Sequence, residues 1–216
     1  VTVTQSAYVV TWNYYFTVSP SVLTFASGGE TKYVTVSSYR QKVINGVETT
    51  TREDVSWTVI TRSFGFHTLR DKVAADPNPS NGSRTGIATY TQEGSNKSVE
   101  VDLAQAAPKV NTLTLKLSAS GMSLVTLYVF KLSDKPLGGA PSKYPGHFFS
   151  GTGTQAQFQW NNIQGLEVLD TNTATKVFAH AGDSLIIAVK NPKQDAWANF
   201  MTIILQDNNQ TIQAPI

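Results

Sequence analysis

Rings and polar groups occur together at two places in the second half of the chain. In chain order they are Tyr144, His147, Phe148, Phe149, Asp195, Trp197 and Asn199. Exposed rings can stack on the apolar faces of sugars, while carboxylates and amides exchange hydrogen bonds with hydroxyl groups. These seven residues are therefore the predicted ligand-binding residues. The alternative is structural, with Phe148 and Phe149 plugging one end of the fold and Trp197 anchoring its loop.

Catalysis requires titratable groups that converge, and the sequence gives few signs of them. The three histidines lie in separate segments without metal-ligand spacing. Residues 150–154, Ser-Gly-Thr-Gly-Thr, lack the strand-to-helix context of a nucleophile. A pair of acids about 5 to 10 Å apart can hydrolyse glycosides, and the candidates are Asp134, Glu167, Asp170, Asp183 and Asp195. Acids at strand ends are usually solvated turn residues, so we predict no catalytic residue, no metal and no cofactor.

A third aromatic group lies near the start of the chain, where Trp12, Tyr14 and Tyr15 flank Asn13. Large rings in a strand-like segment bury much apolar area. This position favours packing in the core, or against a neighbouring domain or subunit, over a ligand site.

The bulk composition narrows the class of partner. The 216 residues are 40% hydrophobic and 15% charged, and 17 basic and 15 acidic side chains give a net charge of +2. The charges are scattered, so no basic stripe can follow a phosphate backbone and nucleic acid is not expected. No apolar run reaches the roughly 18 residues of a membrane span, so membrane insertion is not expected either. Without cysteine there is no disulfide or thiolate metal site, and cysteine usage does not indicate the redox compartment in which the protein acts.

Alternating apolar and polar residues predict β-strands throughout the chain. The strands around Leu23 and Val34 are predicted to pair as a hairpin through Gly28-Gly29. Asn45-Gly46 predicts a second hairpin, because this dipeptide tolerates the positive φ angles of a type I′ turn. One core is predicted from Leu23, Phe25, Val34, Val36, Trp57 and Val59.

Other segments are read from turn residues. Residues 87–92 and 99–105 predict a third hairpin across a polar turn. Residues 67–84 and 134–153 are rich in proline, glycine or asparagine, and both are predicted to be long loops. The second half carries predicted strands at 113–117, 124–132, 158–160, 167–169, 176–178, 184–190, 199–205 and 211–213.

Pro108 marks the predicted domain boundary, because a proline after a finished strand cannot extend the ladder. The sequence therefore predicts two all-β sandwich domains in tandem. Residues 1-107 are predicted to be immunoglobulin-like, and residues 108-216 immunoglobulin-like or jelly-roll. Residues 1–7 repeat the apolar-x-apolar-x-Gln-small-Ala pattern of residues 101–107. They are read as the end of a preceding repeat or as a first strand of the same chemistry, with chance similarity as the other explanation.

Residues 17–105 resemble the BACON-type and related immunoglobulin-like domains of exported proteins of gut Bacteroidota and their phages. The matching features are Val18-Ser19-Pro20, Leu23, Phe25, Gly28-Gly29, Val34, Val36, Trp57-Thr58-Val59, Arg84-Thr85-Gly86, Thr91-Gln92 and Leu103-Ala104-Gln105. The resemblance implies an immunoglobulin-like sandwich. The family is named for a suspected carbohydrate role, which is separable from the fold. The Arg40–Arg52 and Leu69–Gly82 segments depart from the compact family pattern, and residues 108–216 resemble no family we can name.

These observations favour a non-catalytic extracellular binding or adhesion module on a cell surface or virion, with a glycan or another surface molecule as partner. The first alternative is a structural subunit of a phage capsid or tail decoration, or of a pilus-like assembly, whose partners are neighbouring subunits. The second is an accessory domain of a glycoside hydrolase.

Overall fold

The computed structural model describes residues 8–116, 125–131, 147–151, 155–169, 176–190 and 197–213. Every regular element in these ranges is a β-strand, which confirms the predicted all-β class. Within them no helix is long and apolar enough to cross a membrane. The chain divides into two compact units, Val1–Ala107 (unit 1) and Pro108–Ile216 (unit 2). Residues 1–7, with the repeat pattern predicted for them, lie outside the described residues.

The described part of unit 1 contains ten strands. They are β1 (Val10–Ser19), β2 (Val22–Phe25), β3 (Glu30–Tyr33), β4 (Thr35–Ile44), β5 (Val47–Asp54), β6 (Trp57–Thr61), β7 (Phe66–Leu69), β8 (Lys72–Ala75), β9 (Arg84–Gln92) and β10 (Ser98–Gln105). They form three sheets with the strand orders β1-β4-β5, β2-β10-β9-β6 and β3-β8-β7.

The inward side chains of these three sheets share one core. Its buried members are Phe16, Val18, Leu23, Phe25, Val34, Phe66, Val73, Ala75, Ala88, Tyr90, Val101 and Leu103. Val36, Trp57 and Val59 are partly buried against it, so the predicted core set is confirmed. Full burial of a side chain such as Leu103 contributes about 1.5 to 3 kcal/mol, which makes this core the main source of stability in unit 1.

Two of the predicted hairpins are confirmed. β4 and β5 pair antiparallel around Asn45 and Gly46, whose φ angles are 49° and 84°. Both values lie in the left-handed region that a type I′ turn requires. β9 and β10 also pair antiparallel, with Thr91 opposite Ser98 at the turn and Arg84 opposite Gln105 at the far end.

The hairpin predicted through Gly28-Gly29 is wrong. A turn is present, since Gly29 has a φ of 81° and its N–H donates to Ala26 O at 3.1 Å. However, β2 pairs in parallel with β10, and β3 pairs with β8. The alternation of Leu23 and Phe25 determines which face of the strand points inward, but it does not determine the strand that is hydrogen-bonded to it.

The long loop predicted over residues 67–84 is also wrong in its first half. β7 and β8 form an antiparallel hairpin around Arg70, which has a φ of 57°. Val73 in β8 is fully buried. Each strand is only four residues long, too short for an alternation pattern to stand out.

Gln105 ends β10 with its side chain fully buried in the interior of unit 1. Its Nε2 donates to the carbonyl oxygens of Ala26 at 2.9 Å and Asp76 at 2.8 Å. Its Oε1 accepts from Arg84 Nε at 2.6 Å. This amide therefore links β10 to the turns that follow β2 and β8. A buried amide is costly unless it is hydrogen-bonded, and these bonds satisfy it.

The described part of unit 2 contains nine strands. They are β11 (Asn111–Lys116), β12 (Val125–Lys131), β13 (His147–Gly151), β14 (Gln155–Trp160), β15 (Leu166–Leu169), β16 (Lys176–Ala179), β17 (Ser184–Lys190), β18 (Trp197–Ile204) and β19 (Gln210–Gln213). Their sheets have the orders β14-β11-β19, β13-β12-β17-β18 and β15-β16. Each strand predicted in this half coincides with one of these, but β13 lies in the segment predicted to be a loop.

One core also serves the described strands of unit 2. Its buried members are Leu113, Leu115, Val129, Ala156, Trp160, Leu166, Ala179, Leu185, Ile187, Ile203 and Leu205. They come from both larger sheets and from the β15-β16 pair, so the three sheets pack on a common apolar interior.

Candidate functional site

The residues predicted to bind a ligand in unit 2 fall on two separate strands. His147, Phe148 and Phe149 lie in β13, whereas Trp197 and Asn199 lie in β18; Tyr144 and Asp195 lie outside the described residues. β13 and β18 are opposite edges of one sheet, with β12 and β17 between them. Phe149 and Asn199 occupy the same row across that sheet, through Leu127 and Val189.

Three strand spacings separate these two edges, or about 14 Å along the sheet. The described backbone therefore does not place the two groups side by side. This strand order could not be predicted from alternation, which specifies the face of the sheet on which a side chain lies and not the neighbouring strand.

Two of the acids considered for catalysis are described, Glu167 and Asp183, and they lie in different segments of the chain. Asp183 pairs with Lys131, at 2.9 Å between Oδ2 and Nζ, and a backbone hydrogen bond from His180 lowers the pKa of its carboxyl. Glu167 lies in β15, and the other three acids lie outside the described residues. His67 Nε2 contacts Asp76 Oδ2 at 2.7 Å. No group of three potential metal ligands was found within the described ranges.

A groove opens instead beside β1 in unit 1, and we call it the Trp12 groove. It has a volume of about 610 Å³. Its lining residues are Trp12, Asn13, Tyr14, Tyr15, Gly94, Ser95, Asn96 and Lys97. The first four belong to β1, an edge strand of its sheet, and the last four form the turn between β9 and β10. The rings of Trp12 and Tyr14 thus lie with several polar groups around one open concavity.

Alternation along β1 explains how Trp12 and Tyr14 reach the groove. They share a face with Phe16, which is buried in the core of unit 1. Trp12 and Tyr14 continue that face beyond the core and are only half-buried. A Cβ atom built at Gly94 lies 3.7 Å from Tyr14 Oη, so the strand and the turn approach each other closely there.

A cation supports Trp12 from the neighbouring strand. Arg40 Cζ lies 4.3 Å from the centroid of the Trp12 ring, a cation–π distance. Arg40 Nε and Nη2 donate to Glu53 Oε2 at 2.9 and 2.7 Å. The Glu53 carboxylate, followed by the Tyr14 hydroxyl, raises the pKa of Arg40. The guanidinium is thereby held in place beside the indole, which restricts the orientation of Trp12.

The opposite face of β1 is fixed by hydrogen bonds and stacking. The Tyr15 and Tyr39 rings stack with centroids 4.9 Å apart. Glu48 Oε1 accepts from Tyr15 Oη and from Asn13 Nδ2, each at 2.5 Å. The hydrogen bond from Tyr15 lowers the pKa of Glu48, and the same bond raises the pKa of the Tyr15 phenol. Asn13 and Tyr15 therefore present defined positions at the edge of the groove.

Gln92 connects the two walls of the groove. Its side chain is buried at the end of β9. Nε2 donates to Tyr15 O at 2.9 Å and Ser38 Oγ at 3.0 Å, and Oε1 accepts from Ser95 Oγ at 2.8 Å. One amide thus joins β1, β4 and the turn that carries Lys97. We assign Gln92 as a positioning residue of the groove.

Sequence reasoning identified the rings of β1 but not the groove that they line. It predicted packing or a subunit contact for Trp12, Tyr14 and Tyr15, and that contact stays a prediction. Gln92 and Lys97 lie some 80 residues from β1, and no sequence pattern connects either of them with those rings. Neither models of known protein families nor the curated proteins yield a match to this chain.

Proposed function

We propose that this chain is a non-catalytic binding module that acts outside a cell or on a virion, with a glycan or a similarly polar surface molecule as its ligand. The observation that carries the proposal is the Trp12 groove, in which half-buried rings stand beside exposed amides. Sugars present apolar C–H faces and many hydroxyl groups, so a site of this composition is complementary to them.

Pre-organisation also supports binding. The Trp12 ring is held by Arg40, and Tyr15 is held by Glu48 and Tyr39. Side chains that are already ordered lose less conformational entropy when a ligand arrives. A shallow site for a strongly hydrated ligand benefits from this, because each individual contact is weak.

The finer fold is part of the proposal. We propose that unit 1 is an immunoglobulin-like sandwich of the BACON type and that unit 2 is an immunoglobulin-like or jelly-roll sandwich. The residues that carry the resemblance support this for unit 1, since Leu23, Phe25 and Leu103 are buried in one core. For unit 2 the support is the single core shared by its sheets.

The aromatic residues predicted in unit 2 are a second candidate surface for the same ligand class. Their positions on opposite sheet edges favour two separate contacts over one pocket. Phe148→Ala and Trp197→Ala therefore test each edge independently of the Trp12 groove.

A glycan array with the full chain, followed by calorimetric titration of the strongest ligand, tests the proposal. Trp12→Ala removes roughly 50 Å² of apolar contact, and at about 25 cal/mol per Å² this predicts about a tenfold weaker Kd. Tyr33→Ala is the matched control, because Tyr33 is exposed and does not line the groove. Absence of binding at millimolar glycan, or binding that is insensitive to Trp12→Ala, contradicts a glycan site in this groove.

An assembly subunit is the second candidate function, and the sheet edges favour it. The edge strand β5 carries four charged residues and a register shift, both of which oppose edge-to-edge pairing. The edge strand β6, with the sequence Trp-Thr-Val-Ile-Thr, has no charge at all. Ile60 and Ile87, on the same sheet, are 56% and 43% exposed. Such a surface is suited to contact with another subunit.

Sedimentation of the purified chain over a range of concentrations separates the two candidates. An assembly subunit forms a defined oligomer that Ile60→Lys with Ile87→Lys dissociates, whereas a binding module stays monomeric. Val47→Lys is the control, since Val47 is exposed at the β4-β5 turn and away from that sheet.

A further inference from the structure

One charged side chain lines the Trp12 groove, whereas the Arg40 guanidinium behind Trp12 is paired with Glu53. Among the eight residues that line the groove only Lys97 is charged. Lys97 is exposed and takes part in none of the ion pairs found among the described residues. Its backbone is nevertheless fixed: its N–H donates to Ser95 Oγ at 3.2 Å, and its carbonyl accepts from Gln92 N at 3.0 Å.

Two carboxylates of β5 that contact the residues of the groove region are already engaged. Glu48 accepts hydrogen bonds from Asn13 and Tyr15, and Glu53 pairs with Arg40. Glu93 precedes the turn but does not line the groove. Lys97 therefore meets no competing anion among the lining residues, and an anion supplied by a ligand is its natural partner.

We infer that the Trp12 groove selects acidic sugars, meaning saccharides with a ring carboxylate such as uronic or sialic acids. This rests on the proposed function of the groove as a glycan site. A sugar ring stacks against Trp12 or Tyr14 on one wall, and its carboxylate meets the Lys97 ammonium on the other. Asn96, beside Lys97 and exposed, supplies an amide for a neighbouring hydroxyl.

The expected preference is modest, because exposed ion pairs are weak and screened by salt. A solvent-exposed pair contributes up to about 1 kcal/mol, which corresponds to about a fivefold difference in Kd. The preference should shrink markedly at about 0.5 M salt, where the Debye length falls to a few ångströms. Stacking on the rings is not screened, so affinity for a neutral sugar should be almost independent of salt.

Matched pairs of ligands test the inference on the full chain. Trigalacturonate, a hyaluronan tetrasaccharide and 3′-sialyllactose are each titrated beside their methyl esters, which keep the ring and remove the charge. The protein variants are Lys97→Gln and, as the control, Lys72→Gln, a lysine of β8 that does not line the groove. Both substitutions remove one positive charge from the surface of unit 1.

The inference predicts that at least one acid binds about fivefold more tightly than its ester, and that Lys97→Gln but not Lys72→Gln abolishes the difference. Equal binding of every acid and its ester overturns the inference and leaves the glycan site intact. If only neutral glycans bind, the inference is likewise overturned and the glycan site is left intact. If no saccharide of either kind binds, the proposed glycan function fails and the inference falls with it.

Discussion

Gln92 and Gln105 are the same residue type, equally buried at 1% exposure, at opposite ends of the β9-β10 hairpin. Around Gln105, the partners are three turn carbonyls, of Ala26, Ser27 and Asp76, and the Arg84 guanidinium, and none of them lines the Trp12 groove. Around Gln92, the partners are Tyr15, Ser38 and Ser95, which carry the walls of an open groove. We call the end of the hairpin at Gln105 the closed end and the end at Gln92 the open end, because the Trp12 groove borders only the latter.

A buried amide can therefore serve stability alone or also position a site, depending on whether its partners line that site. Arg84 strengthens the closed end by donating also to Gly65 O and Asp76 O. Asn78, buried nearby, donates to Ala106 O and Gly82 O. The end near Gln92 instead borders the Trp12 groove, with its half-buried rings of β1. We therefore expect substitutions at the closed end to affect folding alone, and substitutions at the open end to affect ligand binding as well.

The largest expected effect is that of Gln105→Leu. The change leaves the charged Arg84 Nε without its partner and removes one hydrogen bond from each of the carbonyls of Ala26 and Asp76, which still accept from Gly29 N and Arg84 Nη2. We expect the free energy of unfolding to fall by about 3 kcal/mol. Urea unfolding, followed by the amide NMR resonances of unit 1, measures it. Glycan affinity, tested where the variant is fully folded, should equal that of the wild type. A loss of affinity without a loss of stability contradicts the assignment of the two ends.

Gln92→Leu should have a smaller effect on folding and a clear effect on binding. Two of its three main partners are hydroxyl groups that can turn toward water, so we expect a loss of about 2 kcal/mol. The Gln92 amide then no longer links β1 to the turn that carries Ser95. Glycan affinity should therefore fall about fivefold or more. Calorimetric titration beside Gln105→Leu gives the comparison. Equal affinities for the two variants show that Gln92 does not position the groove.

Two glycines with positive φ allow the packing of the two ends to be compared. Gly65 has a φ of 77° at the closed end, and Gly94 has a φ of 68° at the open end. Alanine at either position adopts a left-handed conformation at a cost of about 1 kcal/mol. At Gly65 the new methyl group also overlaps the Arg84 guanidinium, whereas at Gly94 only Tyr14 Oη lies near. Gly65→Ala should therefore be less stable than Gly94→Ala by about 1 kcal/mol, as measured by urea unfolding. The reverse order contradicts the tighter packing of the closed end.

The smallest expected effect concerns the pH dependence of the open end. The hydrogen bonds from Tyr15 and Asn13 lower the pKa of Glu48 from 4.5. Because its folded-state pKa is depressed, Glu48 contributes stability above its unfolded-state pKa, and this contribution disappears as the pH falls through the folded-state value. Glu48→Gln should melt slightly below the wild type at pH 7, and the difference should shrink as the pH falls below 4.5. A Tm difference that does not shrink at acidic pH contradicts this role of Glu48.

Much of this organisation could be predicted from the sequence. The remainder could not, because it depends on which strands pair and on which distant segments of the chain meet. Alternation located Leu23, Phe25 and Trp57 in the core, because inward positions recur every second residue. It did not predict that β2 pairs with β10, since pairing depends on the whole sheet. The groove brings β1 together with a turn some 80 residues away, so only the folded chain shows that Trp12 and Lys97 share one site.

A two-dimensional NMR titration of the full chain with the best glycan from the array tests directly whether the Trp12 groove is the binding site. We expect chemical-shift changes at Trp12, Tyr14 and residues 94–97, with the amides around Gln105 unchanged. Changes that are confined to the closed end of the hairpin, or to unit 2 alone, would contradict this expectation.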